Sequence, residues 1–404
     1  MISIWNAYKH ISLIKKITFA FILGILIGFV FGEEASVLSP LGNLLMRLLT
    51  FIILPLIFFT LIVGVNQTKP GRLGRMGFKV LIYYIVTSAL AILVGITVAK
   101  LFNPGTGMSL SGNEEVSVPE NPGVIQVLLN MVPDNIVTAF TEMNLLGIIF
   151  TSIVFGIAIS MLRESAKHQE LGERLYQIFE GFNEVTLTVM KGILQYVPIG
   201  IFAIVAEVAG SQGMDTLLSL GGFILVLYVA LLVQLGLYIM LMVAARIHPG
   251  EFFREARTPM ITAFVTQSSS GTLPLTLNAA RNLGLARSLY GFSLPLGATI
   301  NMDGAAIRIA VSAVFAANLI GEPLGFTSIL QIVLIGTLAS VGTAGVPGAG
   351  MIMIATVFAQ IGLPMEAVAL LAAVDVLVGM GCTSLNVTGD LVGTSIINKG
   401  EKRT

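Results

Sequence analysis

The feature that most constrains this chain is a set of long apolar runs without charge. Residues 223–245, FILVLYVALLVQLGLYIMLMVAA, contain no charged side chain, and residues 17–31 form a second such run. As a helix, the longer run extends about 35 Å, enough to cross roughly 30 Å of hydrocarbon. Only 11% of the 404 residues are charged, whereas soluble proteins have about 25%. The sequence therefore predicts an all-α polytopic membrane protein.

Charge and cysteine content exclude several classes of function. The formal net charge is zero and there is one cysteine, Cys382. A neutral chain gives no electrostatic reason for binding nucleic acid, and a single cysteine excludes an internal disulfide or a cysteine-cluster metal site. The first apolar run follows Lys15 and Lys16 but lacks a small-residue cleavage site. It is therefore interpreted as a retained first helix in a plasma (inner) membrane.

Lysine and arginine residues cluster at alternating junctions between the apolar runs. By the positive-inside rule these clusters mark cytoplasmic junctions, which predicts six spans up to residue 250 with the N-terminus inside. The C-terminus, which follows Lys399, is also predicted to be cytoplasmic. The clusters that mark the inside are Lys9, Lys15 and Lys16; Lys69, Arg72, Arg75 and Lys79; Arg163, Lys167 and Arg174; and Arg246, Arg254 and Arg257.

The last third of the chain has a different pattern. Residues 258–282 are interrupted by QSSSGTLP (267–274), and residues 326–361 by SVGTAGVPGAG (340–350). Each apolar half has only about 10–15 residues, too few to span the membrane. We expect two re-entrant helical hairpins, the first open to the cytoplasm and the second to the outside. Irregular backbone at membrane depth is tolerated where it lines a cavity, which predicts a binding site, although ordinary kinked spans are the alternative.

An internal repeat indicates the same region. NMDG (301–304) follows the first interrupted segment and NVTGD (386–390) follows the second. Each motif is predicted to interrupt an apolar helix and to offer an aspartate, Asp303 or Asp390, together with an asparagine and free carbonyls. Paired discontinuous helices in corresponding repeats are typical of the midplane site of a secondary transporter.

Four motifs resemble one family. QSSSGTLP, PLGATINMDG (295–304), GTAGVPGAG (342–350) and NVTGD are similar to signatures of the glutamate-transporter-type dicarboxylate/amino acid:cation symporters. The resemblance implies eight transmembrane helices plus two re-entrant hairpins in inverted repeats, a homotrimer, and an elevator mechanism. It implies that spans 1, 2, 4 and 5 of residues 1–250 form a scaffold. Spans 3 and 6 would join a transport core of residues 251–404, which comprises hairpin 1, helix 7, hairpin 2 and helix 8.

The resemblance also implies sodium as the coupling ion, without another cofactor; coupling to protons stays open. Sodium binds oxygen ligands, and one carboxylate per ion balances its charge in a low-dielectric interior. The residues implied are Asp390 with the carbonyls of Gly297, Asn301 and Asn386 for one ion; Asp303 and Asn301 with Thr87, Ser88 and the Tyr84 carbonyl for a second; and the carbonyls of Thr299, Ser340, Val341 and Thr343 for a third.

The implied substrate site departs from the family pattern. The position of the aspartate that binds an amino group in relatives holds Gly379, and that of the arginine that binds a side-chain carboxylate holds Cys382. A threonine and a basic residue are replaced by Ala305 and Gln267. The groups that hold and enclose a carboxylate are retained, namely Ser268, Ser269 and Ser270, Thr383, Asn386, and the hairpin backbone at Val346 and Gly350.

Arg308 stands where relatives usually have an aromatic residue. On a helix it lies on the same face as Ala305, where a guanidinium could bind a second carboxylate. The alternative is a structural ion pair with Asp375 or Asp303. Because a buried ammonium without a counter-charge is costly, the first substrate hypothesis is a C4-dicarboxylate or a related acid without an amine. A small neutral amino acid (alanine, serine, threonine or cysteine) is the alternative, followed by an acidic one. Sodium and membrane lipid are the other expected partners.

Enzyme functions fit the sequence poorly. Asp303 and Asp390 lack the Tyr-Asp and Gly-x-Gly-Asp contexts of intramembrane aspartyl proteases, and His10, His168 and His248 all lie at junctions. GTAGVPGAG lacks the Lys-Ser/Thr of a phosphate loop. The chain is therefore predicted not to be an enzyme, and a passive anion channel remains an alternative to a symporter.

Overall fold

The computed structural model describes residues 13–66, 70–106, 129, 132–142, 144–211, 213–341 and 349–401. The regular structure in these ranges is helical, with one short 3-10 segment at Gly32–Leu38. The helices are α1 (Leu13–Phe31), α2 (Ser39–Asn66), α3 (Pro70–Phe102), α4 (Ile136–Thr141), α5 (Leu145–Glu164), α6 (Gln169–Ser211), α7 (Gly213–Ala244), α8 (Pro249–Thr266), α9 (Ser269–Asn282), α10 (Arg287–Ile300), α11 (Asp303–Leu319), α12 (Phe326–Val341), α13 (Ala349–Ile361), α14 (Met365–Ala372) and α15 (Asp375–Glu401).

Several helices are long and apolar enough to cross a membrane. Six segments of the described chain pass this test, and a bent pair within α6 brings the number to seven. Two further apolar stretches, Leu54–Asn66 at the end of α2 and Phe326–Ser340 in α12, are too short to meet this length requirement. The all-helical membrane architecture is confirmed, whereas the predicted count of eight spans stays a prediction.

The helices α1, α2, α5 and α6 pack against one another. Glycines allow the close approach of α1 to α6. A Cβ atom built on Gly28 would lie 2.6 Å from the Ala206 carbonyl oxygen, and one on Gly24 would lie 2.8 Å from the Phe202 carbonyl oxygen. Small residues at a spacing of four permit such contacts between membrane helices.

The remaining long helices form a second packed group. Helix α11 contacts α3, α7, α12, α13 and α15, and every residue from Asp303 to Ala317 is buried. A helix that is buried on all faces lies at the centre of its bundle. These two groups correspond in residues to the scaffold and the transport core expected from the sequence, and that division remains a prediction.

The predicted breaks are present in hairpin 1 and in span 7. Between α8 and α9, Gln267 has a left-handed backbone conformation with φ of 52°, and the Ser268 side chain accepts the Gly271 N–H at the start of α9. Helices α8 and α9 pack together, as do α12 and α13. Asn301 and Met302 separate α10 from α11. The central residues of the second hairpin, 342–348, lie outside the described ranges.

The predicted helix break at NVTGD is wrong. Helix α15 runs without interruption from Asp375 to Glu401, through NVTGD. The Thr388 hydroxyl donates to the Ser384 carbonyl and the Thr394 hydroxyl to the Asp390 carbonyl, at 2.7 Å each. These bonds follow the i to i−4 pattern of a continuous helix, and one glycine costs a helix only about 1 kcal/mol. Asp390 is therefore presented by a regular helix and only Asp303 by a broken one.

Candidate ion and substrate sites

Asp303 lies at the first turn of α11, immediately after the break in span 7. Its carboxylate is fully buried. One oxygen accepts the Ser88 hydroxyl of α3 at 2.8 Å, and the other accepts the Tyr238 hydroxyl of α7 at 2.5 Å. The break therefore brings one carboxylate to a point where three helices meet.

Asp390 is joined to the same region through Asn301. The Asn301 side-chain amide donates to Asp390 Oδ1 at 2.9 Å, and its carbonyl oxygen accepts the Thr87 hydroxyl at 3.3 Å. The Thr87 hydroxyl also lies 3.2 Å from the Tyr84 carbonyl oxygen. The break residue Asn301 thus connects α15 to α3 between the two carboxylates.

Both carboxylates are buried with neutral hydrogen-bond donors. Among the ion pairs of the described residues, none includes Asp303 or Asp390. An ionised carboxylate in a low-dielectric interior is strongly destabilised unless a cation or a proton neutralises it. Hydroxyl, amide and carbonyl oxygens surround both groups, and these are the ligands that a hard cation prefers. The arrangement is suited to binding small cations.

Gly297 lies directly against Asp390. A Cβ atom built on Gly297 would collide with Asp390 Oδ1 and would lie 2.8 Å from the Tyr84 hydroxyl oxygen, so this position has room only for glycine. The Tyr84 hydroxyl donates to the Ser293 carbonyl at 2.9 Å. The structure brings most of the predicted residues of the first two ion sites together near Asn301, whereas the Asn386 side chain contacts Met302 and Gly304.

The third predicted ion site is only partly described. The Thr299 hydroxyl donates to the Leu296 carbonyl at 3.0 Å, and the Ser340 hydroxyl to the Thr337 carbonyl at 2.8 Å. Val341 ends helix α12, and Thr343 lies outside the described residues. The carbonyl cage at these positions stays a prediction.

Three residues near the carboxylates were missed from the sequence. They are Tyr238, which donates to Asp303, and the bonded pair Ser293 and Thr394, whose hydroxyls lie 2.8 Å apart beside Asp390. Tyr238 carries one of the few polar groups in the 223–245 run. A polar group isolated in an apolar run was the only sequence feature that could have identified Tyr238 as a site residue. Its proximity to NMDG depends on tertiary packing.

Among the residues expected to bind a carboxylate, Asn386 contacts the start of α11. The Asn386 side-chain oxygen accepts the Gly304 N–H at 2.7 Å, and the Thr383 hydroxyl donates to the Gly379 carbonyl at 2.8 Å. In the described part of the chain the buried Ser269 hydroxyl has no hydrogen-bond partner, whereas Ser270 is exposed. An orphaned buried hydroxyl calls for an explanation such as a ligand. Val346 lies outside the described residues.

The substituted positions line the same space. Ala305 and Cys382 are buried, and a Cβ atom built on Gly379 would lie 2.5 Å from Gln267 Oε1. Gln267 therefore occupies the space that a larger side chain at residue 379 would need. A neutral amide thus stands where the family resemblance implies a carboxylate.

Arg308 forms a buried ion pair with Asp375. The guanidinium Nη2 contacts Asp375 Oδ1, and the two side chains are 5% and 13% exposed. Of the two structural partners left open by the sequence, the structure selects Asp375 and not Asp303. The Arg308 Nε atom is buried and has no hydrogen-bond partner among the described residues, and a Cβ atom built on Gly350 would collide with Nη1. One donor of this cation is therefore still available.

Helices that break beside buried ionisable side chains, within a bundle of apolar helices, define the class of secondary transporters. Comparison with known sequences gives the family: the chain belongs to the sodium:dicarboxylate symporter family, whose sequence model matches residues 13–400. This confirms the resemblance. The family consists of sodium- or proton-coupled symporters, so the chain is a membrane transporter and not an enzyme.

Relatives with different substrates are similarly close. The proton/sodium-glutamate symport protein of Geobacillus stearothermophilus is 28% identical over 97% of this chain and 95% of its own length. The proton/glutamate-aspartate symporter of Escherichia coli is 30% identical over 97% and 93%. The human neutral amino acid transporter B(0) is 34% identical over 92% of this chain and 75% of its own length. These names indicate amino acids rather than dicarboxylates without an amine.

Replacing Tyr238 tests the missed contact to Asp303. We expect Tyr238→Phe to weaken sodium binding about tenfold or more, because loss of a group that orients a ligand typically costs 10–100-fold in affinity. Sodium titration of purified protein, followed by thermal shift, measures the change. Tyr196→Phe, which removes a hydroxyl bonded to the Leu41 carbonyl in α2, is the control. Equal sodium affinities for the two variants would contradict a role for Tyr238.

Proposed function

We propose that the chain is a sodium-coupled secondary symporter that takes up a small carboxylate. The observation that carries this proposal is the pair of buried carboxylates, Asp303 and Asp390, held by neutral donors on either side of Asn301. Two such charges require two cations, and a third cation, as at the third predicted ion site, would balance one carboxylate of the substrate. The family match supports sodium as the coupling ion.

The proposed ion site at Asp303 and the proposed substrate site are connected through a single hydrogen bond of the neighbouring residue. Asp303 is followed by Gly304, whose N–H is bonded to Asn386, and Asn386 is the proposed ligand of the substrate carboxylate. A cation on Asp303 fixes the first turn of α11 and with it the Asn386 side chain. Binding of sodium therefore lowers the cost of ordering the substrate site, which is the basis of coupling.

For the substrate, our first candidate is a C4-dicarboxylate or a related acid without an amine. Gly379 provides no carboxylate for an ammonium group, and Gln267 fills that space. The free Nε of Arg308 is a donor for a second carboxylate. The orphaned Ser269 hydroxyl is available for the first carboxylate, together with Asn386.

A small neutral amino acid is the second candidate. Asp375 already neutralises Arg308, so the pocket does not require a second anionic group. The similarity to neutral amino acid transporter B(0) supports this candidate. An acidic amino acid, as named for the bacterial relatives, is third.

We extend the proposal to the mode of transport. A lipid-embedded homotrimer, with α1, α2, α5 and α6 as scaffold and the remaining long helices as the moving core, follows from the family resemblance. The separate packing of these two helix groups supports it. The proposed location is the plasma membrane, with both termini cytoplasmic.

A ligand screen tests the function. Purified protein is melted in sodium and in choline with succinate, malate, aspartate, alanine, serine or pyruvate. A ligand at a hundred times its dissociation constant stabilises the fold by about 2.7 kcal/mol, which thermal shift detects. We expect succinate or malate to stabilise the protein only in sodium, and Arg308→Ala to abolish this effect. Stabilisation by alanine or serine, unchanged in Arg308→Ala, would favour the neutral amino acid.

A further inference from the structure

The Arg308–Asp375 pair joins three elements at the substrate pocket. Arg308 lies on α11, Asp375 begins α15, and Gly350 in the first turn of α13 lies against Nη1. Both charges lie in the buried part of the molecule, away from the aqueous counter-ions that neutralise surface charges. The net charge of this part of the pocket is therefore fixed by these two side chains.

Asp375 faces the same way as the substrate residues of α15. It precedes Gly379 by four residues, Gly379 precedes Cys382 by three, and Cys382 precedes Asn386 by four. Positions separated by three and four share one face of a helix. With only a glycine and a cysteine between them, no bulky side chain on this face separates Asp375 from Asn386.

The ion pair with Asp375 balances the charge of Arg308 but does not satisfy all of its hydrogen-bond donors. Its positive charge is balanced through Nη2, but Nε is buried and no described residue supplies an acceptor for it. A buried guanidinium that lost Asp375 would need another anion, because an unpaired buried charge is strongly disfavoured. Asp375 and an anionic group of the substrate are thus competitors for the same cation.

We propose that Asp375 is the specificity-determining residue of this transporter: by neutralising Arg308 it sets how many negative charges the bound substrate carries. The inference rests on the proposed function, since it assumes that the substrate lies between Asn386 and Arg308. With Asp375 ionised, the charge of Arg308 is already balanced, and Nη2 is engaged when a second carboxylate approaches. Without the Asp375 charge, the whole guanidinium is available to that carboxylate.

The test compares succinate and alanine as probes of charge. Their dissociation constants are measured in sodium by calorimetry on purified wild-type protein and on Asp375→Asn. We expect the ratio of alanine to succinate dissociation constants to rise about tenfold or more in the variant, as expected when a hydrogen bond to a charged group is gained. Asp375→Glu, which keeps the charge, is the matched control and should retain the wild-type ratio.

A purely structural role for Asp375 would lower stability and leave this ratio unchanged, and that result would overturn the inference. If Asp375→Asn does not fold, the double variant Arg308→Gln/Asp375→Asn removes both charges together. It should lose succinate binding at least about tenfold relative to alanine, and a wild-type ratio there would also overturn the inference. Wild-type protein that binds neither probe would contradict the proposed function, whereas wild-type binding with an unchanged ratio in Asp375→Asn would contradict the inference alone.

Discussion

Asp303→Asn is expected to abolish sodium-dependent ligand binding. The substitution keeps the shape of the side chain and removes the charge that would bind the ion. Removing one partner of a buried charge pair costs about 3–5 kcal/mol, which corresponds to a loss of sodium affinity of roughly 100-fold or more. Sodium titrations of thermal stability, and substrate binding in sodium and in choline, measure this loss.

The same substitution at the surface provides the control for Asp303. Asp134 is exposed, and Asp134→Asn should leave the sodium titration unchanged. Asp303→Asn should also be at least as stable as wild type without sodium, because it removes an uncompensated buried charge. Sodium affinity that survives in Asp303→Asn would rule out Asp303 as an ion ligand.

Gly304→Ala is expected to destabilise the fold strongly. A Cβ atom at this position would collide with backbone atoms of Cys382, which belong to a continuous helix and cannot rotate away. Overpacking of this kind costs about 3 kcal/mol, and we expect the melting temperature to fall by roughly 5 °C or more. Substrate binding should weaken too, since the Gly304 N–H orients Asn386.

Gly236→Ala is the matched control for Gly304→Ala. Gly236 also lies within a helix, α7, but nothing stands within 4 Å of a Cβ atom there. A glycine-to-alanine change without a clash stabilises by about 0.4–1 kcal/mol, so its melting temperature should not fall. Equal melting temperatures for the two variants would show that α11 and α15 can move apart to accommodate the added methyl group without loss of stability.

The sequence predicted the features that depend on local pattern. Uncharged runs such as 223–245 identified membrane helices, since the hydrophobic requirement applies along each segment separately. The glycine, serine and proline residues of QSSSGTLP predicted an interruption within 267–274, which the structure limits to Gln267 and Ser268. NMDG placed the break before Asp303. The four motifs together identified the family.

Local pattern was misleading in NVTGD. By analogy with NMDG it predicts a break at Asp390, but α15 is continuous there. An asparagine, a glycine and an aspartate are compatible with both conformations. The continuous helix is the conformation in which Thr388 and Thr394 form their hydrogen bonds. It is also the conformation in which Gly389 packs against Tyr238.

By itself, the sequence determined that this chain is a helical membrane transporter with interrupted segments and two intramembrane aspartates, because hydrophobicity and chain-breaking residues act over a few neighbouring positions. The tertiary structure alone decided that Arg308 is bonded to Asp375, 67 positions away, and that Tyr238 is bonded to Asp303, 65 positions away. The partner of a buried charge depends on which helices meet, and this is settled by packing over the whole bundle. The substrate hypothesis depends on that partner, since Asp375 determines how much of the Arg308 charge remains for a ligand.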